Sequence, residues 1–137
     1  MTTKRPGVLV TGGAGYIGSH AVLALADRGW PVAVIDNLSN GRRDNVPRGV
    51  AFYEGTIADR DLLARIFAEQ GTAAIMHFAG SIVVPESVVK PLFYYANNTV
   101  ATHALISAAV DAGLKHLLFS STAAVYGAPE KVPVEEE

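Results

Sequence analysis

Gly7-Val8-Leu9-Val10-Thr11-Gly12-Gly13-Ala14-Gly15-Tyr16-Ile17-Gly18 decides how this chain folds. Gly7–Thr11 is a short apolar strand, and the glycines after it open a helix rich in Ala and Leu. A second apolar strand, Val32-Ala33-Val34-Ile35, ends on Asp36. Strand, glycine turn, helix, strand and acid follow within about 30 residues, the spacing of a dinucleotide-binding βαβ unit. One glycine turns the chain off the strand. Another lets backbone N–H groups approach a pyrophosphate with no Cβ in the way, and a third packs the helix close to the sheet. The positive end of the helix meets the pyrophosphate charge. The alternative is a glycine turn with no ligand; the order and register of the pieces favour the cofactor.

Asp36 selects the dinucleotide. A carboxylate at the end of the second strand accepts hydroxyls of the adenosine ribose and repels a 2′-phosphate, so NAD is expected over NADP. Arg42 and Arg43 follow closely and could pair a phosphate, but a solvated loop over Asn37–Asn45 is the reading preferred for them.

Working outward, Arg42–Val46 reads as a short helical turn and Val50–Glu54 as a third strand. Asp59 is a suitable N-cap for a helix through Glu69, with Leu62, Leu63, Ile66 and Phe67 inward and Gly71 closing it. Ala73–Phe78 is a continuously apolar fourth strand, expected to be covered on both faces. Pro85 starts a short helix and Pro91 a long one to Ala112, closed by Gly113. His116–Ser120 is the fifth strand, and Gly127–Glu137 reads as a loop with a solvated acidic end. Strands alternating with helices predict an α/β fold, a doubly wound parallel sheet of Rossmann type in the order 3-2-1-4-5. The 137 residues are expected to form part of one such domain, residues 1–137 supplying its dinucleotide-binding portion.

Apolar residues run nearly all round the long helix, Leu105 and Ile106 among them. One face covers the sheet, and the other predicts a partner helix, with self-association through residues 91–112 and the open sheet edge. The net charge of −2 forms no basic stripe, which argues against nucleic acid. The absence of cysteine excludes disulfides and thiolate metal sites. The segment Met1–Pro6 lacks the form of a signal peptide, and no apolar run approaches the roughly 18 residues of a membrane span. A cytoplasmic protein is expected. His77 and His116 read as packing residues, and Asp59 and Asp61 as a helix start rather than an acid–base pair.

The glycine motif through Ser19-His20, then Asp36-Asn37-Leu38, His77-Phe78-Ala79-Gly80, Pro85-Glu86-Ser87, Tyr94-Tyr95-Ala96-Asn97-Asn98 and Phe119–Gly127, stand in the order found in extended short-chain dehydrogenase/reductases. The chain resembles that family, and within it the NAD-dependent epimerases that interconvert UDP-glucose and UDP-galactose, acting as homodimers. The resemblance implies that Gly12, Gly15, Tyr16, Ile17 and Gly18 approach the pyrophosphate. It implies that Asp36 and Asn37 hold the adenosine ribose, beside Leu38, Ser39, Asn40 and Gly41. Thr56 and Ile57 would lie near the adenine. Phe78, Ala79, Gly80, Ser81 and Ile82 would run beneath the pyrophosphate and nicotinamide ribose, with Asn97 reaching them from the long helix. Thr122 matches the catalytic Ser/Thr that hydrogen-bonds the reacting oxygen of the sugar, and Tyr126 either borders the sugar or packs its own loop. No metal is implied. Two departures stand out: Thr56-Ile57 where many members carry an acid, and Ile82 where many carry a lysine.

The family's chemistry also uses Tyr-x-x-x-Lys on a helix, the ammonium lowering the pKa of the phenol. Four residues after Tyr16, Tyr53, Tyr94, Tyr95 and Tyr126 stand His20, Ile57, Asn98, Thr99 and Glu130. None is lysine, and the motif is expected beyond Glu137. A nucleotide-sugar 4,6-dehydratase or related epimerase, and a dinucleotide-binding module without catalysis, remain alternatives to the UDP-glucose epimerase.

Overall fold

The computed structural model describes residues 5–135. The expected loop end at Glu136 and Glu137, and residues 1–4 of the segment read for a leader, lie outside them. β1 (Gly7–Thr11), α1 (Tyr16–Asp27), β2 (Val32–Asp36), β3 (Ala51–Glu54), α2 (Arg60–Gln70), β4 (Thr72–His77), α3 (Val84–Val89), α4 (Pro91–Tyr94), α5 (Ala101–Asp111) and β5 (His116–Phe119) follow in order. The five strands are all parallel, in the order β3-β2-β1-β4-β5. The expected topology is therefore present. A parallel sheet needs a crossover between neighbours. α1 supplies it on one face and α2 and α5 on the other, while β2 and β3 are joined by a connection with only a short 3-10 turn, Arg43–Asn45.

Each face has its own core. On one, Leu9, Ile35 and Ile75 pack with Leu63 and Ile66 of α2 and Leu105 of α5. On the other, Val10 and Val34 pack with Val22 of α1 and with Val46 from the β2–β3 connection. The helix ends follow local chemistry. Asp59 caps α2, its carboxylate accepting the Leu62 N–H at 2.9 Å, and Gly71 ends it in the left-handed region at φ +57°.

Three expectations change. The long helix is not uniform: a π-helical turn, Tyr95–Val100, separates α4 from α5, and the Ala101 N–H bonds the Ala96 carbonyl five residues back. Leu105, on a helix expected to need a partner's cover, is fully buried against the sheet, whereas Ile106 beside it is 44% exposed. β5 is exposed along its whole length, and β4 is only partly buried on the face of Ala74 and Met76, because α1 covers that face only over β1 and β2. A short 3-10 turn, Ala123–Tyr126, follows β5.

The two sides of α5 should respond differently to truncation. Leu105→Ala should cost about 3 kcal/mol through the cavity it leaves, and Ile106→Ala below about 1 kcal/mol. Urea unfolding of both variants checks this; equal losses would contradict the assigned faces.

Candidate functional site

A doubly wound sheet binds ligands outside the carboxyl ends of its strands, where the strand order reverses. Here the reversal lies between β1 and β4, the first strand and its crossover neighbour. The cleft at that point is lined by Gly12 and Gly15 of the glycine turn and by Asp36, Asn37, Ser39, Asn40 and Gly41 after β2. Thr56 and Ile57 after β3, Phe78, Ala79, Gly80 and Ser81 after β4, and Asn97 from the π turn complete its expected lining.

Gly12 leaves β1 at φ +67°, and a Cβ there would lie 2.7 Å from the Ala79 nitrogen, so the turn seats directly on the end of β4. Gly18 sits where a Cβ would overlap the Gly12 carbonyl, which brings α1 down onto the turn. α1 begins at Tyr16 with no side-chain cap and no acid in its first turn. Its first N–H groups therefore keep the partial positive charge of a helix start at the edge of the cleft.

Asp36 is 9% exposed. Its Oδ2 accepts the Ala14 N–H at 2.9 Å and its Oδ1 the Leu38 N–H at 2.8 Å. Each carboxylate oxygen retains a second lone pair, so both can still accept a hydroxyl. The loop after β2 docks on the same turn, with the Arg42 N–H and Asn45 Nδ2 both donating to the Ala14 carbonyl, at 3.0 and 2.8 Å. Arg42 is exposed; Arg43 stacks its guanidinium 4.5 Å from the Phe52 ring centre and donates to the Val46 carbonyl. Neither arginine lines the cleft.

The other expected residues fall beside the cleft. Tyr16 and Ile17 point outward, 81% and 61% exposed, so only their backbone belongs to the helix start. Gly18 is a packing position, Leu38 turns its side chain to the core at φ +57°, and Ile82 is 87% exposed. Thr122 caps the 3-10 turn, its Oγ1 accepting the Ala124 N–H at 3.1 Å, and lies outside the cleft lining. Tyr126 is 56% exposed. Ile35 and Gly55 line the cleft without having been singled out in the sequence.

Beneath the cleft lies a buried polar bridge. The Thr11 hydroxyl meets His77 Nδ1 at 2.6 Å, His77 Nε2 meets the Thr102 hydroxyl at 2.8 Å, and the Ala79 N–H donates to Thr11 Oγ1 at 3.3 Å. The bridge ties β1, β4 and α5 together at the strand ends. His77 is a packing residue as expected, but one with both ring nitrogens engaged. Burial holds its imidazole below the usual histidine range.

A parallel sheet of this order, with a glycine turn at its point of reversal, defines the doubly wound dinucleotide-fold class. The profile of the NAD dependent epimerase/dehydratase family matches residues 8–137, and the chain belongs to that family. It is 57% identical to the UDP-glucose 4-epimerase of Azospirillum brasilense over 137 residues, 100% of this chain and 39% of that protein. It is 49% identical to the UDP-glucose 4-epimerase of Lactobacillus helveticus over 130 residues, 95% of this chain and 39% of that one. The chain thus spans 39% of the length of these relatives and corresponds to their N-terminal part. Among solved structures, the UDP-glucose-4-epimerase of Stenotrophomonas maltophila, with bound NAD and formylated UDP-arabinopyranose, matches with a TM-score of 0.87. The identity is 40%, over 96% of this chain and 41% of that one. The UDP-glucose 4-epimerase of Thermus thermophilus, in complex with NAD, matches with a TM-score of 0.86 at 42% identity, over 95% and 42% of the two chains.

His77 makes stability depend on pH with a definite sign. Above the ordinary histidine pKa of 6.5 both folded and unfolded imidazoles are neutral and contribute no difference. As pH falls below that value the unfolded state takes up a proton that the buried ring resists, so stability is lost. Urea unfolding of the protein and of His77→Gln, at about pH 7.5 and about pH 5.5, isolates this part. The variant should lose less stability on acidification; an equal loss would refute the assignment.

Proposed function

We propose that the cleft binds NAD and that the chain forms the cofactor-binding domain of a UDP-glucose 4-epimerase. The observation that carries the reading is the convergence of the uncapped start of α1 and the buried carboxylate of Asp36 on one cleft. The helix start would take the pyrophosphate through the backbone of Gly15, Tyr16 and Ile17. Asp36 would accept the ribose hydroxyls with its remaining lone pairs, and a 2′-phosphate would meet the same carboxylate at a repulsive distance. Asn97, Gly80 and Ser81 would hold the half of the ligand lying beyond the glycine turn. When bound, NAD supplies a reversible hydride acceptor for carbon 4 of the sugar.

Thr122 is assigned to the sugar. Its Oγ1 already accepts the Ala124 N–H, which orients its own O–H to donate to the reacting oxygen. Proton removal needs a base activated by a neighbouring cation, and no tyrosine of this chain has lysine four residues on. The 137 residues therefore act as a binding module, and turnover belongs to the whole protein. A second copy is proposed to cover the exposed stripe of Leu92, Phe93, Val100, Ile106 and Val110, in a cytoplasmic homodimer serving galactose metabolism.

Calorimetry on the protein should show NAD binding at least about tenfold tighter than NADP, with Asp36→Ala narrowing the gap. Equal affinities for the unaltered protein would remove the role given to Asp36. The same 137 residues should show no conversion of UDP-galactose, and measurable turnover would refute the binding-module reading.

A further inference from the structure

The sheet places β1 between β2 and β4, so Asp36 and Ser81 lie on opposite sides of the glycine turn. Beyond β4 the cleft is edged by a loop, Gly80 to Val83, with no regular ladder of its own. Its backbone is held by side chains from a single stretch of helix. Asn98 Oδ1 accepts the Ser81 N–H at 2.8 Å, and Asn98 Nδ2 donates to the Ser81 carbonyl at 2.8 Å. One side-chain amide thus satisfies both main-chain groups of Ser81, as a neighbouring strand would. Asn97 Nδ2 donates to Ser81 Oγ at 2.9 Å and to Asn98 Oδ1 at 3.2 Å. The Tyr94 hydroxyl accepts the Val83 N–H at 3.2 Å and donates to Glu86 Oε2 at 2.9 Å.

Consecutive residues of an α-helix do not face the same neighbour. Here Asn97 and Asn98 both reach Ser81, and they sit within the π-helical turn. Asn97 lines the cleft and Asn98 does not. Asn98 therefore acts on the cleft through residues that line it, Ser81 and Asn97.

We propose that Asn98 is a positioning residue for cofactor binding: it clamps the Ser81 main chain and steadies Asn97, so that the edge of the cleft beyond the glycine turn is set before the ligand arrives. The proposal rests on the dinucleotide reading above and gives it a direction. Asp36 governs the adenosine half of the ligand, and Asn98 governs only the other half.

NAD and AMP titrated against the protein, Asp36→Ala, Asn98→Ala and Asn98→Asp separate the two halves, with thermal melts confirming that each variant is folded. Asn98→Ala should weaken NAD by about tenfold, since a truncated partner leaves the polar groups of Ser81 unsatisfied. AMP affinity should stay unchanged, and the Ser81 amide should exchange its hydrogen faster. Asn98→Asp keeps an acceptor for the Ser81 N–H but sets a carboxylate against the Ser81 carbonyl. It should weaken NAD, again without affecting AMP, while the Ser81 amide stays protected; this variant decides the matter if the alanine variant does not fold. Asp36→Ala should weaken both ligands. A folded Asn98 variant that binds NAD like the unaltered protein, or that loses NAD and AMP equally, would overturn the clamp while leaving the site intact. Failure of the unaltered protein to bind either nucleotide would overturn the site itself, and the clamp with it.

Discussion

Two backbone amides, those of Ala14 and Leu38, converge on the buried carboxylate of Asp36, and the architecture of the cleft depends on that convergence. A carboxylate this buried is costly unless its oxygens are hydrogen-bonded. Here the partners belong to the glycine turn and to the loop after β2. The bond to Ala14 joins the end of β2 to the turn after β1, and the Ala14 carbonyl then takes two donors from the same loop. The residue proposed to read the ribose is also the one that holds the wall of the cleft in place.

The opposite wall is built from uncharged polar groups. Thr11, His77 and Thr102 form a buried bridge among β1, β4 and α5, and Asn97 and Asn98 extend it to the loop after β4. Burial disfavours the charged form of His77, and the cleft lining after β4, Phe78 to Ser81 with Asn97, consists of uncharged residues. The division is physically sensible. The acid stands where hydroxyls are to be accepted, and neutral amides stand where the chain must pass close to an anion.

The uncovered surfaces follow from topology. α1 shields β1 and β2 on its face, and β5 forms an edge whose Leu117, Leu118 and Phe119 stay exposed. A strand edge and an apolar stripe of this kind invite a covering partner.

By itself, the sequence determined the parts whose signals are local. The glycine spacing, Asp36, the Asp59 cap, the Gly71 and Gly113 stops and the alternation of strands with helices specified the sheet and its order, because turn chemistry and hydrophobic period act over a few residues. Of the cleft lining they pointed to Gly12, Gly15 and Asp36, and the family resemblance implied most of the rest. Only the tertiary structure decided that Leu105 faces the core and Ile106 does not, since both are apolar neighbours on a helix apolar nearly all round. It also decided that the side chains of Tyr16, Ile17, Ile82 and Thr122 stand outside the cleft lining. The bridge through His77 and the clamp by Asn98 were illegible beforehand. Thr11 and His77 are 66 residues apart, and Asn98 and Ser81 17, and no local pattern records a hydrogen bond that exists only once separate elements have packed.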